Sequence, residues 1–127
     1  QLFDATSGGN ASSSSVTGTY TKIGNLVTCK FDSLNNISTA GMTGTNDLYF
    51  SLPFAAGSTG RSAGSVVFDN LTFDSGRTMV TPLVLDSSSR GQFRTTGSAV
   101  TDQVSDVQDI NSGTTDIHTF TLTYATA

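Results

Sequence analysis

Gly18-Thr-Tyr-Thr-Lys-Ile-Gly-Asn-Leu-Val-Thr-Cys-Lys-Phe31 reads as two strands joined by the dipeptide Gly24-Asn25. Glycine at the first central position suits a type II′ turn, whose twist matches that of the flanking strands. A two-residue loop sets the register: Ile23 opposite Leu26, Lys22 opposite Val27, Thr21 opposite Thr28, Tyr20 opposite Cys29, Gly18 near Phe31. Opposed residues share a face and successive pairs alternate. One face therefore carries Tyr20, Val27, Cys29 and Phe31, and is predicted to wall a core. The other carries Thr19, Thr21, Thr28 and Lys30, with Ile23 and Leu26 near the tip. Isolated apolar residues on a polar face are explained by burial against a neighbour, so Ile23 and Leu26 are the predicted subunit contact.

Upstream, residues 1–15 end in Gly-Gly-Asn-Ala-Ser-Ser-Ser-Ser. This is the composition of a flexible connector, with Leu2 and Phe3 as local packing residues. Gln1 in place of an initiator Met reads as the start of an excised or processed fragment. The organised domain is predicted over 16–127. Downstream, residues 32–46 are polar and Gly-rich, anchored by Leu34, Ile37 and Met42. Leu48-Tyr-Phe-Ser-Leu52 alternates and stops at Pro53, which places Leu48, Phe50 and Leu52 inward and Tyr49 outward. Residues 65–73 read as a strand with a bulge expected at Asp69-Asn70, and residues 78–85 return with Met79, Leu83 and Leu85 in phase. Pro82 makes that second strand an edge or bulged strand. Residues 91–96 form a short strand with Phe93 inward and Arg90, Gln92 and Arg94 together on the opposite face.

Between 99 and 110 the strand period fails. Val100, Val104 and Val107 recur at helical spacing, although β-branched residues and Asp are poor helix formers. In the closing strand, His118, Phe120, Leu122 and Tyr124 alternate against threonines, which puts His118 at the start of the inward face. About eight short strands with Gly/Ser/Asn turns describe one all-β domain, an antiparallel, jelly-roll-like β-sandwich.

Composition narrows the function. Of 127 residues, 13% are charged and 35% hydrophobic, with a net charge of −4. Nucleic acid is an unsuitable partner for such a chain, because phosphate binding needs clustered cations. No apolar run approaches a membrane span, so no membrane insertion is expected. The single Cys29 excludes an intrachain disulfide and reads as a small buried hydrophobe. Asn-x-Ser/Thr triplets at Asn10, Asn36 and Asn70 are at the level expected by chance in so Ser/Thr-rich a chain.

With one His, a Ser-His-Asp arrangement would have to use His118, which reads instead as a hydrogen-bonded structural histidine. The same count argues against a His/Cys zinc site, and no cofactor is expected. Asp102, Asp106, Asp109 and Asp116 offer hard oxygen ligands for calcium or form a solvated acidic loop; EF-hand spacing is absent and the chain contains no Glu. The most suggestive binding feature is the Arg90, Gln92 and Arg94 face. Two guanidinium forks and an amide suit carboxylate or phosphate groups of an acidic surface polysaccharide, unless Asp86 simply pairs with Arg90; Asp86, Arg90, Gln92, Arg94 and Tyr49 are the candidate receptor-binding residues. Tyr49, pointing outward, can stack on a sugar ring.

The Gly18–Val27 hairpin sequence, Leu52-Pro-Phe54 and the alternating Thr/Tyr-rich final strand together resemble the C-terminal domain of phage tail fibres and related phage structural proteins. The Ser/Gly tract before Val16 is similar to the connectors that precede such domains. The resemblance covers about residues 16–126, while residues 90–115 match nothing in it. It implies a homotrimeric adhesin at the virion surface, a non-enzymatic receptor-binding domain at a fibre tip that recognises a host surface glycan or protein. Two alternatives remain: a structural trimerisation module with no receptor of its own, and a hydrolase of a cell-surface polysaccharide. No catalytic motif comes with the resemblance.

Overall fold

The computed structural model describes Leu2–Asp4 and residues 17–127. Two antiparallel sheets pack face to face. In chain order the strands are β1 (Leu2–Asp4), β2 (Thr19–Ile23), β3 (Leu26–Phe31), β4 (Leu48–Ser51), β5 (Ser62–Ala63), β6 (Ser65–Asp69), β7 (Arg77–Val84), β8 (Arg90–Gly97), β9 (Gln103–Val104) and β10 (Asp116–Ala125). The larger sheet runs β1-β4-β8-β7-β5, with β9 also on β8; the smaller runs β2-β3-β10-β6. The predicted β-sandwich is therefore present. Beyond the expected strands it has β1, in the stretch read as connector, and the two-residue β5 and β9. Residues 5–15, the rest of that connector, lie outside the described residues, as do Gln1 and Val16, the first residue of the expected domain.

The β2–β3 hairpin has the register that its two-residue turn predicts, from Ile23 opposite Leu26 to Thr19 opposite Lys30. Gly24 takes a φ of +60°, the left-handed position a type II′ turn requires and glycine supplies without steric cost. β10 pairs with β3 along Phe120–Ala125, which makes it a central strand of the smaller sheet. Its alternate residues Phe120, Leu122 and Tyr124 are all buried.

The core between the sheets is largely aromatic. Phe50 of β4 meets Phe93 of β8 at 5.0 Å and Phe120 of β10 at 5.0 Å, while Phe68 of β6 sets its edge against Phe93 at 5.2 Å. These tilted and edge-to-face distances lie in the range where ring quadrupoles attract. Gly91, the β8 residue opposite Phe50, faces that ring so closely that a Cβ there would collide with it.

Four expectations need correction. Tyr20 does not wall the core: it is 55% exposed and meets the edge of Phe54 at 5.2 Å. β2 is the outermost strand of its sheet, and an open cleft lies between its Thr19 and Tyr20 and Ser51 and Leu52 at the end of β4. Its neighbour Lys22 donates to Thr126 Oγ1 at 2.7 Å and lies over the Phe54 ring. In β7 the buried phase is Pro82 and Val84, with Val80 partly buried, whereas Met79 is 60% exposed. Predicting Met79, Leu83 and Leu85 inward is a slip of one residue, which exchanges the two faces. Pro82 is tolerated because its side without an N–H faces the short β5, which pairs with β7 only at Leu83 and Val84, and there the Pro82 carbonyl accepts from the Gly64 N–H at 3.0 Å. The bulge expected at Asp69-Asn70 lies across the ladder in β10, between Ile117 and Thr119. That extra residue is His118, so Ile117 is buried and His118 turns outward, 3.9 Å from Asp69. In the segment 99–110, where helical spacing competes with poor helix formers, the chain makes β9 and one 3₁₀ turn, Val107–Asp109.

Candidate functional site

The sequence-predicted binding residues meet on the outer face of the larger sheet. β8 directs Gly91, Phe93 and Thr95 inward, where the last two are 1% and 2% exposed, and so presents Arg90, Gln92 and Arg94 outward. Tyr49 of β4 lies directly opposite Gln92, which on its other side faces Leu83 of β7. On the far side of β4, Phe3 of β1 lies opposite Tyr49. A row of side chains thus crosses four strands: Phe3, Tyr49, Gln92, Leu83.

Tyr49 organises this row. The Arg90 guanidinium carbon sits 3.8 Å from its ring centre, and the Phe3 ring stacks 6.0 Å away with 30° between planes. The Tyr49 hydroxyl donates to Asp47 Oδ2 at 2.8 Å. Burial and the neighbouring Asp47 carboxylate push the phenol above its ordinary range, so it stays a neutral donor at physiological pH. Tyr49 therefore does not offer a bare ring to a sugar, as the sequence suggested; one face is occupied by Arg90. The pairing instead sets the Arg90 guanidinium over the ring, where cation–π attraction holds it.

The two arginines differ. Arg94 is 3.4 Å from Asp102. Among the described residues no carboxylate pairs with Arg90. Asp86, expected beside it, is exposed in the turn between β7 and β8 and joins no ion pair. The start of β8 is pinned instead by Ser88, whose Oγ accepts from the Arg90 N–H at 3.2 Å and donates to the Arg90 carbonyl at 2.7 Å. Next to Arg90, Gln92 is only 6% exposed, and among the described residues its buried Nε2 has no hydrogen-bond partner, a cost of about 1–3 kcal/mol.

Phe3 was not singled out from the sequence as a binding residue. Its signal is the alternation of Leu2, Phe3 and Asp4, which is too short to read as a strand beside a Gly/Ser tract.

Ile23 and Leu26 lie on the opposite outer face, that of the smaller sheet, 75% and 49% exposed. Around them stand Thr19, Thr21, Thr28 and Lys30, with Thr28 and Thr123 sharing a 2.9 Å hydroxyl contact across the β3–β10 ladder.

The acidic residues are spent locally. Asp116 accepts from the Asn36 N–H at 2.6 Å, Asp109 from the Asp106 N–H at 3.0 Å, and Asp106 from Gln108 Nε2 at 3.3 Å. Among the described residues no three carboxylate, His or Cys groups are arranged to hold a metal ion. Nor do the four form a solvated loop as expected, since Asp109 is 7% exposed. Burial pushes its carboxyl up to about 6, with Asp74 and Asp106 adding to the rise against the opposing Asp106 N–H bond. Cys29 is half-buried beside a cleft of about 230 Å³ lined by Tyr20, Phe31, Leu52, Pro53 and Phe120. Its thiol donates to the Leu122 carbonyl at 3.5 Å, and burial pushes its pKa up, away from the reactive thiolate.

Comparison with family models, with curated proteins and with solved structures finds no match to this chain.

Proposed function

We propose that this chain is a non-enzymatic receptor-binding domain at the tip of a homotrimeric phage tail fibre, attaching the virion to an acidic glycan of the host surface. The observation that carries this reading is the guanidinium of Arg90 on the outer face, 3.8 Å from the Tyr49 ring centre and paired with no carboxylate. All ten acidic residues of the chain are aspartates, and none is paired with Arg90. A guanidinium held over a ring and paired with no carboxylate suits a planar carboxylate, which accepts two parallel N–H bonds from it. A glycan array probed with the purified chain tests this. Acidic glycans retained by the chain, and lost on Arg90→Ala, support the proposal; no binding at high concentration overturns it.

A second reading, a trimerisation module without a receptor, is favoured by exposed Ile23 and Leu26 on the other face. It expects the same oligomer and no binding to host cells. Shortening of a polysaccharide by the purified chain would instead favour a hydrolase.

A further inference from the structure

β8 carries a second outward arginine. Arg94 follows Arg90 by four residues in the same phase of the strand, about 13 Å along it at ~3.3 Å per residue. The two therefore stand on either side of the row that crosses β8 at Gln92. Both guanidiniums act electrostatically on the Tyr49 phenol, opposing the rise that burial and Asp47 cause. They differ in what holds them: Arg90 lies over the Tyr49 ring, whereas Arg94 faces Asp102.

The Arg94–Asp102 pair is loose. Its nearest approach of 3.4 Å exceeds the roughly 2.7–2.9 Å of a strong charged hydrogen bond. The Arg94 Nε is buried and has no acceptor among the described residues, so Asp102 leaves part of the fork unused. The Asp102 side chain is 54% exposed and that of Arg94 25%. Ion pairs so open to water contribute little to stability, and a competing anion replaces one partner at little cost. The backbone on both sides of Asp102 is fixed, by contrast. The Thr101 carbonyl accepts from Arg77 Nη2 at 3.2 Å, and Gln103 of β9 pairs with Thr95 of β8. Displacing the Asp102 carboxylate therefore needs rotation of one side chain into solvent and no movement of the turn.

We infer that Arg94 is the second cation of the candidate site and that Asp102 is its resident counter-ion, displaced when a linear glycan with repeated acid groups lies along β8 from Arg90. A single acid sugar engages Arg90 alone. A chain with one acid group per repeat reaches both arginines and puts its own carboxylate in the place of Asp102. Because Asp102 is attached to the same molecule, it competes at a high effective concentration. Only a ligand already anchored at Arg90 matches that advantage, so Asp102 biases the site toward polyanionic chains and against lone acid sugars. This inference rests on the receptor reading and adds to it which acidic glycans are taken.

The test is titration calorimetry of the full chain with hexagalacturonate, hyaluronan and polysialate, and with their acid monomers galacturonate, glucuronate and sialic acid. The unaltered chain is expected to bind at least one polymer more tightly than its monomer. Asp102→Asn should tighten that polymer about twofold to fivefold, the contribution of an exposed ion pair, and leave the monomer unchanged. A structural role for Asp102 would instead weaken binding or leave it alone. Arg94→Ala should bring the polymer down toward the monomer, with monomer binding retained. Asp32→Asn is the charge-matched control: Asp32 is exposed just beyond β3, on the other sheet, and joins no ion pair among the described residues. It should tighten the polymer less than Asp102→Asn does. Equal gains from the two aspartate variants would reveal a general charge effect and overturn the exchange. Polymer binding that is lost with Arg90→Ala yet indifferent to Asp102→Asn and Arg94→Ala overturns the exchange and leaves the receptor reading standing. No binding of any of these probes to any variant overturns both.

Discussion

The two outer faces of this sandwich are made by the same alternation and yet differ in kind. On the larger sheet, Phe3, Tyr49 and Arg90 are stacked on one another, the Tyr49 hydroxyl is tied to Asp47, and Gln92 is buried among them with a donor unpaired. On the smaller sheet, Ile23, Leu26 and a set of threonines stand in solvent, and their one cross-strand hydroxyl contact joins Thr28 to Thr123. A face whose side chains are held in place loses little conformational freedom when a ligand arrives, which suits recognition of a small polar group. A face of unfixed apolar residues gains by being covered, which suits a subunit contact. The difference assigns the two proposed roles to opposite sides of the molecule, so they can be disturbed separately.

The largest effect should come from beneath both faces. Phe93→Ala removes the ring that touches Phe50 and Phe68, and is expected to lower stability by about 3–5 kcal/mol in denaturant unfolding, damaging binding and assembly together. Next, Arg90→Ala is expected to weaken binding of an acidic glycan by roughly 10–100-fold, from a loss of ~1.5–3 kcal/mol in charged hydrogen bonds, while the oligomer is unchanged. Arg90→Lys keeps the charge but not the planar fork, and should recover only part of that loss by titration calorimetry.

A smaller effect concerns the margin of the larger sheet, where the 3₁₀ turn bearing Asp109 adjoins the Asp47–Asp106 bridge. The Asp109 carboxyl rises from 3.8 to about 6 on folding, so the folded state binds the proton more tightly. Its contribution is therefore fully present below about pH 4 and is lost as pH rises through about 6, the reverse of a paired aspartate. Asp109→Asn should flatten thermal stability between those limits, by on the order of 1 kcal/mol after solvent screening. The smallest change in stability, within ~0.5 kcal/mol, is expected for Ile23→Ser with Leu26→Ser, both being exposed. Light scattering should nevertheless show a weaker oligomer with glycan binding retained. If binding fell and assembly did not, the two faces would have been assigned the wrong way round.

Much of this was legible in the residues, though not evenly. The hairpin register followed from Gly24-Asn25 because a two-residue loop leaves no freedom in pairing. The Arg90, Gln92, Arg94 and Tyr49 cluster followed from alternation around Phe93 and Phe50, whose burial was plain. Asp86 was misplaced because nearness in sequence was taken for nearness in space. Phe3 was missed because its partner strand begins more than forty residues later, and nothing local marks that pairing. The fate of Arg94 was equally hidden, since Asp102 reaches it only through the turn that brings β9 back onto β8.

Local sequence determined where strands and tight turns occur, and which side chains within each strand share a face. Those properties depend on φ/ψ preference and the period of two, which neighbouring residues settle among themselves. Tertiary structure decided which face is covered, because burial depends on what lies opposite. Tyr20 is exposed because β2 ends its sheet, and Met79 faces outward because Pro82 and Val84 took the core side. His118 is turned out by a bulge that only the pairing of β10 with β6 imposes. Phe3 likewise joins the candidate site because the free edge of β4 accepts a strand from a segment whose composition reads as a connector.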